Sequence, residues 1–328
     1  MAIDAHVTQA SQASHGGTLS FSRFFSWMRK WPWRRAPSSP GPRRRKPPST
    51  QAEKRSTQSK KTPKAQTLWP NERLFIVDRL WGDDHTVPGG TAYIKTLLPL
   101  LNLSKEKSLL LLGAGLGGMG RAMVEETGVW VSGLEHDREL AAIGKNMAIR
   151  SGMKKRAPVT YKDFNALKLK PRSFNAVVSF ESMHPVSDKA ALFAALGTAL
   201  RPQGELLFTE LVLSEATEPN AAVLDWLRSE PHSPHPSRAS EIFQHLKALD
   251  FDVRPPENIT ADYRRRVLRG WSAFLGTTNK TELRTISQAV IEECAFWARR
   301  ISAIDSGGLH VYKFHAIKKA DRRPPPPL

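Results

Sequence analysis

The sequence predicts an α/β fold: a doubly wound, mostly parallel seven-stranded sheet with an antiparallel closing strand, behind a disordered basic N-terminal tail. Three observations carry that reading. Residues 109–112 are four consecutive leucines, the composition of a strand covered on both faces. Gly113, Gly115, Gly117 and Gly118 follow at once, and helix formers resume at Arg121, Ala122 and Met123, so a strand turns sharply into a helix. Further apolar runs then alternate with helical stretches, as in a parallel sheet with helices on both faces.

Taken in order, residues 1–66 are the tail, interrupted by Pro32, Pro37, Pro40, Pro42, Pro47, Pro48 and Pro63 and filled with Ser, Gln and Lys. The folded body spans 67–319. Residues 71–80 and 91–101 read as helices around a loop at 81–90. The corner helix runs to about 127, and 129–135 is the second strand. A helix over 137–151 can be capped by Asp137. Strands follow at 159–161, 174–180 and 205–212, with a helix over 188–200. The proline-containing stretch at about 215–238 reads as a lid or insertion. A helix at 240–249 and a strand at 251–253 come next, followed by helices at about 260–304. The long helix at 281–304 starts from an Asn279–Glu282 capping box and shows an apolar face of Ile286, Val290, Cys294, Trp297 and Ile301. Residues 309–317 alternate and are expected to close the sheet as an edge hairpin with 251–253. Residues 320–328 are a proline-rich tail.

The chain has 328 residues and a net charge of +18, unevenly spread. Residues 1–66 carry 14 Lys/Arg against Asp4 and Glu53, a net of +12, and residues 318–328 add +3, leaving +3 for the body. A nucleic-acid reading therefore rests on the tails alone. The single cysteine, Cys294, excludes an intrachain disulfide and a cysteine metal cluster, and no apolar run is long enough to span a bilayer.

The glycine corner is a nucleotide-binding signal. Glu135 stands twenty residues past Gly115, at the end of the second strand, where an acid reaches the ribose hydroxyls of an adenosine-containing ligand. Gly113, Gly115 and Gly118 also satisfy G-x-G-x-x-G, so these residues alone leave a dinucleotide open.

The segments that follow resemble those of a class I S-adenosylmethionine-dependent methyltransferase. Gly113–Gly118 resembles the family's first motif, Asp163-Phe164 its adenine-edge position, and residues 179–192 (SFESMHPVSDKAAL) its fourth strand and loop. Residues 200–210 (LRPQGELLFTE) resemble its turn into strand five. The loop Trp81-Gly82 through Pro88-Gly89-Gly90 and the His184–Leu192 stretch are similar to those of N-methyltransferases acting on phosphoethanolamine, sarcosine or phosphatidylethanolamine. The sequence departs from the pattern at Leu111, where the family has an acid, and at Gln203, where it has a glycine.

The resemblance implies S-adenosylmethionine as cofactor, held by Gly113, Gly115, Gly117, Glu135, Asp163, Phe164 and Ser179, and no metal. His184, just past the fourth strand at the carboxyl edge, can take an amine's proton; His85 in the upstream loop can close over the acceptor. Glu181, Tyr263 and Arg264 are the acceptor contacts, with Arg264–Arg266 able to meet a phosphate. The expected activity is methylation of a small or phospholipid amine. The alternative is a non-catalytic binding or assembly protein, associated with RNA through its basic tails. Residues 20–31 (SFSRFFSWMRKW) set six large apolar side chains against three cationic ones, an interfacial helix. With the arginines up to residue 46 it is expected to dock a cytoplasmic protein peripherally on an anionic membrane, a wide apolar arc that a nucleic-acid arm does not need.

Overall fold

The computed structural model describes residues 67–216 and 218–320, so the 20–31 segment and the rest of the tail lie outside the described residues. Eight strands form one sheet: β1 (Ser108–Leu112), β2 (Trp130–Glu135), β3 (Val159–Tyr161), β4 (Phe174–Phe180), β5 (Leu200–Leu213), β6 (Phe251–Val253), β7 (Glu257–Asn258) and β8 (Leu309–Lys318). Their order is β3-β2-β1-β4-β5-β8-β6, with β7 paired to β8. β1 to β5 pair in parallel, and β8 runs antiparallel to all its neighbours.

The four leucines behave as the double-sided run implies. Leu109 and Leu111 enter one apolar cluster, and Leu110 and Leu112 enter the other on the opposite face. Leu111, at the position of the family's acid, is thus wholly committed to core.

Ten α-helices accompany the sheet among the described residues: α1 (Asn71–Trp81), α2 (Gly90–Leu97), α3 (Gly118–Thr127), α4 (Arg138–Arg150), α5 (Lys189–Ala199), α6 (Ala221–Ser229), α7 (Ala239–Ala248), α8 (Thr260–Thr277), α9 (Lys280–Thr285) and α10 (Ser287–Asp305). The Asp137 side chain caps α4 by accepting from Leu140 N, and the Asn279–Glu282 box opens α9.

The structure corrects three details. β8 pairs with β6 antiparallel at that end of the sheet, as expected, but β6 is the outer strand and β8 lies between it and β5, with Leu309, Val311, Phe314 and Ala316 fully buried. The 281–304 helix breaks at Ile286, whose ψ of 17° ends α9 before α10 begins. The 215–238 stretch contains α6, whose Val223 and Trp226 are completely buried, so only the strap after it can act as a lid.

Candidate active site

The site forms where β1, β2 and β4 end. Gly113 N and Ala114 N donate to Leu134 O at 2.9 and 3.0 Å, turning the chain out of β1. Gly113 has φ +70° and Gly115 φ +55°; a Cβ on Gly113 would stand 2.3 Å from the Ser182 side chain, and one on Gly115 2.5 Å from Thr86 Oγ1. Both glycines therefore meet a left-handed backbone and a close approach together. The Glu135 carboxylate pins the corner, accepting from Gly115 N (2.8 Å), His136 N (2.8 Å) and Asp137 N (2.9 Å).

Two clefts open here. The inner one, about 150 Å³, is walled by Gly113, Glu135, Glu181 and Arg300 and by the aromatic rings of Trp69, Trp81, Phe180 and Trp297. The outer one, about 470 Å³, is bounded by Tyr161, Asp163, Phe164 and Asn165. They share His136, Pro231 and His232. The His136 ring lies 5.2 Å from Phe164 and 4.8 Å from His232. His232 Nε2 is 3.2 Å from Asp137 Oδ2. Burial opposes ionisation of Asp137, but hydrogen bonds from His232 and Leu140 N outweigh it and hold the pKa at about 2.

Glu181 follows β4 in a strained left-handed conformation, φ +42°. Thr209 Oγ1 donates to its Oε1 at 2.7 Å, and Glu181 N donates to Thr209 O at 2.8 Å. Burial pushes the carboxyl up to about 7.

Other sequence-selected residues fall elsewhere. His184 lines neither cleft: it is buried, its Nδ1 3.2 Å from Glu210 Oε1. Glu210 also accepts from Met183 N and Leu211 N, so this pair organises the loop after β4. His85 is 1 % exposed, with Nε2 2.9 Å from Thr91 Oγ1, and burial pushes its pKa down to about 4, which makes it a neutral packing group. Ser179 is fully buried against Ser182 Oγ at 2.7 Å. Gly115 and Gly117 lie behind the cleft wall rather than on it. Tyr263 is buried and accepts from Arg300 NH1 at 3.3 Å. Arg264 points outward, its guanidinium held at 2.7 and 3.2 Å by the Asp305 carboxylate.

Arg266 is instead the inward member of the arginine run. Its side chain is 10 % exposed, lies 3.3 Å over the Tyr93 ring and has Asp262 Oδ2 3.5 Å from Nε. The guanidinium and the buried Tyr93 hydroxyl face each other, and neither residue lines either cleft. Sequence reasoning missed Arg266 as the inward residue, and missed Arg300, His136 and His232. The i to i+2 offset from Arg264, nearly opposite on a helix, was the usable signal for the first. Nothing local marked the others.

The residues fit an adenosyl ligand. Phe164 and Tyr161 bound the outer cleft with aromatic rings, Asp163 and Asn165 with polar groups, and at the junction His136 Nε2 is buried without a hydrogen-bond partner among the described residues, while Nδ1 stands 3.1 Å from Glu135 Oε1. Glycine turn, acid-ended second strand and clefts at the carboxyl edge are those of an adenosyl-binding α/β sheet, and the family match makes it a class I S-adenosylmethionine-dependent methyltransferase. Within that class, the chain belongs to the mycolic acid cyclopropane synthetase family, which it matches over residues 89–304.

It is similar to phosphoethanolamine N-methyltransferase 1 of Arabidopsis thaliana, 24% identical over 166 residues, which cover 51% of this chain and 33% of the relative. Two structures of Haemonchus contortus phosphoethanolamine N-methyltransferase 2 share the fold, each with a TM-score of 0.61. One, with S-adenosyl-L-methionine, is 20% identical over 75% of this chain and 56% of that one. The other, with phosphomonomethylethanolamine and S-adenosylhomocysteine, is 19% identical over 75% and 57%. The chain thus spans about a third of the curated relative and little more than half of the solved ones.

Proposed function

We propose that this protein transfers a methyl group from S-adenosylmethionine to the nitrogen of a small or phospholipid amine. The observation that carries the reading is Glu181: a carboxyl raised to about 7, on the wall of a cleft that also holds the first glycine of the corner. When bound, S-adenosylmethionine supplies a methyl group already activated on a sulfonium. The chain's own work is to align, to exclude water and to deliver the amine unprotonated.

The base would rest against Phe164 and Tyr161 in the outer cleft, and the ribose would pass Glu135 and His136. Trp69, Trp81, Phe180 and Trp297 would surround the amine, attracting it while still a cation and keeping water out. Glu181 Oε1 is engaged by Thr209, so Oε2 is the atom that accepts the ammonium proton. An oxyanion on the acceptor that reaches past Glu181 would meet Arg266, whose charge already acts on that carboxyl. The amine ligand of the Haemonchus relative, phosphomonomethylethanolamine, supports this class of acceptor.

Leu111 favours a second reading, binding without turnover, because it leaves the family's acidic position apolar. Labelled-methyl transfer to a panel of small amines, phosphoethanolamine and phosphatidylethanolamine vesicles separates the two. Label in any amine supports catalysis. Binding of S-adenosylhomocysteine with no label in the panel supports the second reading.

A further inference from the structure

The strap that carries Pro231 and His232, the roof shared by the two clefts, meets one buried lysine at its far end. Lys189, at the start of α5, is 5 % exposed. Its ammonium donates to three backbone carbonyls: Val186 O, His235 O at 2.7 Å and His184 O at 3.5 Å. His235 N in turn donates to His184 O at 2.7 Å. Two of the carbonyls belong to the loop after β4, and the third belongs to the strap after α6. That strap carries Pro231 and His232, the residues common to both clefts.

The chemistry is specific. An ammonium has three donors and no acceptor, so it can gather three carbonyls at one point, as no neutral side chain can. No carboxylate lies within ion-pair distance of it among the described residues, and burial lowers its pKa. A buried cation compensated by three carbonyl dipoles and the more distant charge of the Glu210 carboxylate is a costly way to fill space, since a methionine would pack there without removing a charge from water. What the lysine adds is a fixed relation between loop and strap.

We infer that Lys189 is a positioning residue that clamps the strap 230–236 onto the loop after β4, and so sets the roof under which the adenosyl ligand lies. Its two ends are then held by separate means. Glu230 is tied to Arg300 of α10 at 2.6 Å, and His235 is tied to Lys189. Between them His232 closes the roof through its contact with Asp137 and its ring against His136, so the middle of the strap can lift while its ends stay in place. The ligand part of this inference rests on the cofactor reading above; the clamp itself does not.

The test uses the full chain, the variants Lys189→Met and Lys189→Arg, hydrogen–deuterium exchange and titration with S-adenosylhomocysteine. Lys189→Met is expected to speed exchange over 230–238 at least tenfold, leave β1 and β4 unchanged, and weaken S-adenosylhomocysteine at least tenfold. Lys189→Arg keeps the charge but spreads its donors over a planar fork, so it should fall between. It carries the same test should Lys189→Met fail to fold. Strap exchange equal to wild type, or faster exchange spread evenly over the sheet, overturns the clamp. Faster strap exchange with undiminished affinity overturns its role in the ligand site. A wild-type chain that does not bind S-adenosylhomocysteine overturns the cofactor reading instead, and the exchange result alone then decides the clamp.

Discussion

Glu181 combines three properties that rarely coincide by accident: a strained backbone, a place on the cleft wall and a carboxyl raised from 4.5 to about 7. If Oε2 takes the amine's proton, methyl transfer should rise with pH through about 7, and Glu181→Gln should lower it about 100-fold or more while cofactor affinity holds. Stability gives an independent check. The folded protein favours the protonated form, so this contribution is full below about 4.5 and is lost as pH rises through about 7. Urea unfolding of Glu181→Gln should then show it more stable than wild type at pH 8, with the difference gone near pH 4. Equal curves at both pH values would place the carboxyl in ordinary solvent. The arginine run offers a contrast. Arg264→Ala removes an exposed ion pair and should cost under about 1 kcal/mol with unchanged transfer. Arg266→Met should raise the KM of acceptors that carry an oxyanion and spare those that do not.

Helices and strands were legible in the sequence where a single local rule decided them. The leucine run, the glycine corner and the Asp137 and Asn279 caps are such cases, because each is settled within a few residues. The roof was not. Residues 215–238 read as a lid because their prolines are visible, whereas the burial of Trp226 depends on α10, some 70 residues further on. His184 attracted a catalytic role by its place after β4, and its partner Glu210, on β5, is invisible until the strands are side by side. Glu230 and Arg300 make the same point energetically. They pair at 2.6 Å with side chains 5 and 9 % exposed, joining the end of α6 to α10. Arg300→Met should destabilise by about 3–5 kcal/mol, because it leaves a buried carboxylate unpaired. Replacing Glu230 with leucine in the same chain should recover most of that loss in urea unfolding. No recovery would mean that Arg300 acts through Tyr263 and its aromatic neighbours instead.

At the scale of the molecule, a nearly neutral body is joined to a tail of net charge +12. We propose that residues 20–31, with the arginines up to residue 46, dock the protein on anionic lipid, at about 1 kcal/mol for each cationic side chain near the surface. The full chain should sediment with anionic vesicles, and less so as salt rises, whereas a chain starting near Gln66 should stay in solution. Equal sedimentation would remove the sequence-level reason to prefer a lipid amine over a soluble one. The central claim, that the two clefts are one site for S-adenosylmethionine, is most directly tested by calorimetric titration of S-adenosylhomocysteine into the intact protein. A single saturable site is expected, which Glu135→Ala weakens by about 1.5–3 kcal/mol, the range for losing a charged hydrogen-bond partner. No heat of binding to the intact chain at millimolar ligand would contradict it.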